Sequence, residues 1–474
     1  MRKFRPRRSA CCLVLVAGGV VAACGTPTAS NQPIATYHGD NARAGYSARS
    51  SLTPANAPLL KQKWDISDTS TISAQAIVAD DSVYWGDWNG IEHATSTSGK
   101  TLWSTSVGRA PKPRSCPFPL GDLGVTSSAT VGNGGGQTTV WVGGGGGNLY
   151  ALNASTGAVL WRTQLGAPPE NVLWSSPALY DGSIYQGIAS WNDCPGVVYG
   201  KLFRVNAATG AIQGVFSPEK GRCVGGGIWT SPTIDTKENA VFVTTGNDAC
   251  DSSLQNSIFK LNATTMAVES RWQTPKNSLV TDADFGATPT LFTGSIGGST
   301  RQLIGAEAKD GVYYTFDRND LSAGPIWTYV VQNDTALSSN VCLDRNSISS
   351  SAWAGPGAPV MVAGLAVRGS ECIGTLTALD PATGTPEWQV PLQGGVVQGP
   401  VTEGPGLVAV GAGTSLEILS SATGSVLFSY AEPQSGHDSG NGYGEPYWFW
   451  APATLAGNSL YIGNQDGNLR AFAP

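Results

Sequence analysis

The sequence predicts an all-β chain folded as an eight-bladed β-propeller of four-stranded antiparallel blades. Three observations carry that prediction: one hairpin phrase recurs along the chain, the two ends hold complementary halves of it, and the composition suits tightly turned strands. The clearest copy runs from Gly147 to Trp161, reading Gly-Asn-Leu-Tyr-Ala-Leu-Asn-Ala-Ser-Thr-Gly-Ala-Val-Leu-Trp. A glycine opens a strand with alternating apolar residues, Asn153 to Gly157 make a turn that needs left-handed backbone, and a second strand ends on tryptophan. Copies follow at Gly90 to Trp103, Gly200 to Phe216, Gly311 to Trp327, Gly374 to Trp388 and Ser415 to Phe428, and a worn one runs from Ser257 to Trp272.

The eighth opening, Gly467 to Phe472, stops with the chain at Pro474, while Leu60-Lys61-Gln62-Lys63-Trp64 is a closing strand with no opening before it. A ring closed by pairing the two ends explains both fragments. Units about 40–60 residues apart, each too small to bury its own sheet, are the mark of propeller blades. The degraded Ser257 copy leaves seven blades as the alternative count. The 61 glycines and 15 tryptophans fit this reading, with tryptophan packing blade against blade.

Residues 1–23 read as a signal peptide. Arg2, Lys3, Arg5, Arg7 and Arg8 precede an apolar run from Ala10 to Ala23 that is too short to span a bilayer. Val21-Ala22-Ala23-Cys24 resembles the lipobox of bacterial lipoproteins, which implies cleavage before Cys24 and a lipid on its thiol. The expectation is an exported protein anchored to the envelope through that lipid, with Arg7-Arg8 hinting at twin-arginine export. Residues 24–50 are then a tether and N-terminal extension, and 51–474 a single propeller domain. Without the leader, 23 basic residues stand against 34 acidic ones, a balance of −11 that excludes nucleic acid and anionic lipid as partners of the body.

Cys116, Cys194, Cys223, Cys250, Cys342 and Cys372 remain beyond Cys24. An even count in an exported chain reads as up to three disulfides, with fifteen pairings open and Cys342–Cys372 favoured. No Cys-x-x-Cys occurs and only three histidines exist, so neither zinc nor covalent haem is expected. His93 lies inside a repeat strand and reads as packing or surface. Short phrases precede each blade, among them Trp174-Ser175-Ser176-Pro177, Trp229-Thr230-Ser231-Pro232, Ala287-Thr288-Pro289 and Trp450-Ala451-Pro452. Their small residues would let the innermost strands converge, with the preceding aromatic at one mouth of the channel. Loops at 109–123, 331–351 and 431–447 are long enough to carry function.

The repeat resembles the quinoprotein alcohol dehydrogenase-like family, whose propellers hold pyrroloquinoline quinone (PQQ) and calcium in the channel. Bacterial outer-membrane assembly scaffolds use the same repeat without a cofactor. The sharper match covers residues 225–317. Gly225-Gly226-Gly227-Ile228-Trp229-Thr230-Ser231-Pro232, followed by Thr244-Thr245-Gly246-Asn247, is similar to the family's Trp and Thr-Gly-Asn segments. The resemblance implies Trp229 stacked under the quinone and Asn247 ligating calcium through its carbonyl. Asp282-Ala283-Asp284 resembles the family's Asp-x-Asp, which implies Asp282 as the base that takes the alcohol proton, touching calcium too, with Asp284 supporting it. Lys309, two residues before Gly311, matches the family's lysine at the quinone oxygens. Asp193 stands near the place of the family's calcium glutamate, one methylene shorter. The family's vicinal cysteine pair is missing, as is the haem segment common in polyvinyl-alcohol dehydrogenases, so an external electron acceptor would be needed.

Two functions follow as expectations. One is an exported oxidoreductase that oxidises an alcohol or sugar with PQQ and calcium. The other is a non-catalytic scaffold whose loops bind an envelope protein or polysaccharide.

Overall fold

In the computed structural model the described residues are 35–474, without 68–69, 115, 117–120, 168–170, 192–198, 220–222, 251–253, 277–281, 334–341, 343–347 and 434–447. They form eight antiparallel sheets. Blades 1 to 7 span 77–106, 130–164, 171–216, 233–273, 290–330, 352–391 and 402–431. Blade 8 takes three strands from 454–473 and its outermost strand, Lys61–Ile66, from the start of the body, paired antiparallel with Leu469–Ala473. The two sequence fragments therefore close the ring as expected. The worn Ser257 copy is a complete blade, so the count is eight. Among the described residues no helix is long and apolar enough to cross a membrane.

Why the phrase needs both its glycine and its tryptophan is clear at the blade interfaces. Asn153 Oδ1 accepts the N–H groups of Ser155 and Thr156 at 3.0 Å each, and Gly157 adopts φ +70°. A Cβ on Gly157 would lie 2.7 Å from the Trp103 ring of the preceding blade. The same seat recurs for Trp64 on Gly99, Trp161 on Gly210, Trp327 on Gly384 and Trp388 on Gly424. Each of these indoles also donates Nε1–H to a carbonyl of the blade it docks on, at 2.9–3.2 Å. Positive φ and a missing Cβ are thus two demands met by one residue. Burying each indole face contributes about 1.5–3 kcal/mol.

One interface inverts the rule. In blade 3 the register that pairs Ala151 with Trp161 instead pairs Arg204 with Gly214, so Gly214, not Phe216, holds the tryptophan slot. The facing turn of blade 4 carries Met266 at φ +60° where the other copies have glycine. A Cβ on Gly214 would lie 3.0 Å from Met266 Cγ. Large on small has become small on large, and Phe216 packs separately on Phe259, 5.3 Å between centroids.

Packing is concentrated between blades, not inside them; one buried cluster joins Leu202 and Phe216 of blade 3 to Val241 and Phe259 of blade 4. At the channel, the small residues before each innermost strand make a hydrogen-bonded belt. The N–H groups of Gln75, Ser128, Ser176, Ser231 and Thr288 donate to the hydroxyls of Ser128, Ser176, Ser231, Thr288 and Ser350, each in the next blade, at 2.8–3.0 Å. This is the physical use of the Ser/Thr-Pro phrases: hydroxyls satisfy backbone donors that converge where no sheet pairing is available.

Residues 35–51 close the channel beyond this belt. Their backbone bonds reach Val131, Ile234, Leu291, Trp353, Glu403 and Gly457 in blades 2 and 4 to 8. Side-chain bonds join Asn41 to the Leu179 carbonyl of blade 3 and the His38 N–H to Gln75 of blade 1. The stretch that the sequence reading placed within an N-terminal extension touches every blade from Ala35 onward.

Candidate functional site at the open mouth

The matched residues of blades 4 and 5 lie on segments tied together by backbone bonds. Gly225 (φ +119°) and Gly226 (φ +63°) turn the chain back on Asn247, whose carbonyl accepts the Gly226 N–H at 2.7 Å. A Cβ on Gly225 would lie 2.5 Å from that same oxygen, so only glycine fits. Gly246 N–H donates to Gly227 O at 2.8 Å, and Ala249 N–H to Val224 O at 2.8 Å. A Cys223–Cys250 disulfide staples these two runs. Trp229 and Asn247 are therefore carried on one latched unit. In blade 5, Lys309 N–H donates to Asp284 O at 2.9 Å, which fixes the lysine against the aspartates.

Side chains complete the cluster. Lys309 Nζ bridges Asp282 Oδ2 and Asp284 Oδ1, 2.7 Å from each, and sits 5.0 Å from the Trp229 ring centroid. Trp229 Nε1–H donates to Asp284 Oδ2 at 2.9 Å, and the Asn247 amide donates to Asp282 Oδ1. Asp284 is buried, with 5% of its side chain exposed, whereas Asp282 is 47% exposed. Burial opposes the Lys309 charge, yet Asp284 and then Asp282 outweigh it and hold the ammonium above the usual lysine range. Burial likewise opposes ionisation of Asp282, but the Lys309 charge and hydrogen bonds from Lys309 and Asn247 bring its carboxyl below the usual range. Lys309 and Asp282 thereby hold each other in their charged forms.

Sequence reasoning placed Asp282, Asp284, Trp229, Asn247 and Lys309 in one site, and the structure brings all five together. It divides the aspartates by burial: Asp284 positions the tryptophan and lysine, and Asp282 is left half-exposed. Asp193, Cys194 and Cys24 lie outside the described residues. Cys342–Cys372 is formed as favoured, and Cys116 is also disulfide-bonded. The latch Cys223–Cys250 was one pairing among many, with no local pattern to single it out. Trp174 and Trp450 both pack on Trp88, 6.5 and 6.1 Å between centroids.

A family model described as the outer membrane protein assembly factor BamB, PQQ_2, matches residues 89–213 and 339–474. That is more than half of the chain. The chain belongs to the PQQ-type β-propeller family. The gap between the matched stretches contains all five residues of the site. A curated relative, polyvinylalcohol dehydrogenase from Sphingopyxis sp. (strain 113P3), is 26% identical over 345 residues, covering 63% of this chain and 50% of its own length. The chain thus spans about half the length of that relative. Among solved structures, quinohemoprotein alcohol dehydrogenase from Comamonas testosteroni superimposes with a TM-score of 0.73 at 18% identity, over 92% of this chain and 80% of that one. A europium-containing methanol dehydrogenase gives 0.72 at 12% identity, over 93% and 98%. At these identities the superpositions speak for the fold alone, a β-propeller.

Proposed function

We propose that the chain is a PQQ- and calcium-dependent dehydrogenase that oxidises an alcohol or sugar at the open mouth and passes electrons to an external acceptor. The observation that carries this is the single cluster of Trp229, Lys309, Asp282, Asp284 and Asn247. Its donor set fits the cofactor chemistry. Trp229 offers a flat face whose edge is pinned by Asp284, Lys309 offers a fixed cation, and Asp282 and Asn247 are the hard oxygen donors that calcium takes. When bound, the quinone accepts the hydride equivalent from the alcohol carbon.

The protein's own residues have separable tasks. Asp282, ionised and half-exposed, receives the hydroxyl proton. Lys309 balances charge at the site and keeps Asp282 ionised between substrates. Asp284 holds both Trp229 and Lys309, so it is a positioning residue. The proposal places the body outside the cytoplasm, tethered at Cys24. A second reading, a scaffold that binds an envelope protein, is favoured by the description of the matching family model.

Dye-linked oxidation of alcohols and sugars by the purified chain, supplied with PQQ and calcium, tests the first reading. Asp282→Asn should lower kcat by at least about 100-fold, the usual scale for a general base, with the melting temperature unchanged. Activity that persists in Asp282→Asn would remove the assigned base.

A further inference from the structure

Blade 1 holds a second constellation, independent of the mouth cluster. In the strand Ile91–Ser96, His93 lies directly opposite Trp85 on one side and Ser104 on the other. His93 Nδ1 is 2.8 Å from Ser104 Oγ, and His93 Nε2 is 3.3 Å from Asp87 Oδ2. Asp87 is buried, 2% exposed, and its other oxygen accepts the Ile91 N–H at 3.3 Å. The His93 ring stacks on Trp85, 4.0 Å between centroids at 12°, and Trp85 is itself pinned by Nε1–H donation to Thr95 Oγ1 at 3.0 Å. Ser104 is exposed on the outermost strand.

These contacts select a tautomer. The Asp87 carboxylate can only accept, so Nε2 carries the proton, and the bare Nδ1 is left to accept from the Ser104 hydroxyl. A nucleophile, a base and a buried orienter therefore stand in sequence, with exposure rising from Asp87 through His93 to Ser104.

The fold itself does not demand this trio. In blade 2 the same register positions hold Gly144, Tyr150 and Arg162, and that blade packs without them. Blade 1 departs at a fourth place as well. Glu92 stands where blade 2 has the buried Leu149; it is fully buried, and its carboxyl oxygens have no hydrogen-bond partner among the described residues. Burial, and then the Asp87 charge, raise its pKa well above the usual range, so it stays neutral. Asp87, not Glu92, is the carboxyl group that meets the imidazole.

We propose that Ser104, His93 and Asp87 form a second, hydrolytic site that cleaves small esters of short acyl chains. In the acylation step the Ser104 Oγ bonds to the ester carbonyl carbon as its proton passes to His93 Nδ1. The carbon–oxygen bond to the alcohol breaks, and the alcohol leaves with that proton. Water then attacks the acyl-serine, giving one proton to His93 and on to Ser104 Oγ, and releases the acid. The surface is open, and Leu102, 47% exposed, lies on the same strand face two residues away, offering apolar footing for a short acyl chain.

The test uses the whole chain with a fluorophosphonate probe and with p-nitrophenyl acetate. The expected result is one probe adduct, located on Ser104 by peptide mass, and ester hydrolysis above the buffer rate. Ser104→Ala should abolish both, His93→Gln should slow hydrolysis by at least about 100-fold, and Asp87→Asn should lower kcat without raising KM. Since Ser104 is exposed, its alanine variant should keep the wild-type melting temperature. Absence of the adduct, an adduct on another residue, or wild-type hydrolysis in Ser104→Ala would each overturn the proposal.

Discussion

The two ends of the channel solve the same problem in opposite ways. Both bring side chains that ionise in water into a converging ring of backbone. At the closed end Arg43 is fully buried with no carboxylate bonded to it among the described residues; its guanidinium donates to the carbonyls of Pro232, Tyr37 and Pro177 and to Thr36 Oγ1 at 2.6–3.3 Å. His38 there is neutral, its pKa brought down to about 4 by burial against two opposing carbonyl contacts. Glu403 is pushed up to about 8 by burial. At the open mouth Asp282 and Lys309 stay charged by pairing, with the Asp284 carboxyl against the same ammonium. Carbonyls that need donors make a structural plug, whereas paired charges half in water make a place where a proton can be moved.

The largest effect should come from Arg43→Met. It takes the guanidinium from four acceptors inside the ring. Thr36 Oγ1 and the Pro177 carbonyl keep Thr130 Oγ1 as a partner, while the Pro232 and Tyr37 carbonyls lose their donor. The change should cost roughly 3–5 kcal/mol of stability. Chemical denaturation would measure it; a loss below about 1 kcal/mol would mean that the plug is an ornament to a ring already closed by Lys61–Ile66.

Glu403→Gln sharpens the contrast through pH. The folded state keeps the proton of Glu403 up to about pH 8, while the unfolded chain releases it above the ordinary glutamate value of 4.5. Stability is therefore lost as pH rises from 4.5 to 8. Glutamine should stabilise the protein at pH 8 by about 4 kcal/mol and change little near pH 4.5. Thermal unfolding at the two pH values decides it, and an equal effect at both would show that Glu403 is ionised in the fold.

Lys309→Met should do less to stability, about 1–3 kcal/mol, because Asp282 is half in water. Its effect belongs to the site: Asp282 loses the cation that keeps its carboxyl low, so its pKa should rise. A carbonyl-region infrared titration, with Asp282→Asn as the blank, would follow this. An unmoved Asp282 would break the assignment of Lys309 as its partner.

Most of the fold was legible because its rules are local and repeated. Glycine at the turn and tryptophan at the strand end sit at fixed spacing, and each meets its partner in the next blade. The closed end was not legible. Arg43 and His38 bond to carbonyls of residues 177, 232 and 401, and neither residue carries a periodic signal that points so far along the chain. The Gly214–Met266 interface was missed for a related reason: Phe216 supplied the awaited aromatic two residues past the true slot. The site residues were readable from motif order. Their division of labour was not, because Asp282 and Asp284 differ only in burial. The His93 arrangement escaped because Asp87 follows one strand while His93 and Ser104 lie on the next two, and the three join only through register.

The most direct test of the central claim is equilibrium titration of the purified chain with PQQ, with and without calcium, followed by tryptophan fluorescence. The account predicts saturable, calcium-dependent quenching at micromolar PQQ that disappears in Trp229→Ala while the other tryptophans remain. Absence of binding by the wild-type chain, or quenching unchanged in Trp229→Ala, would contradict it.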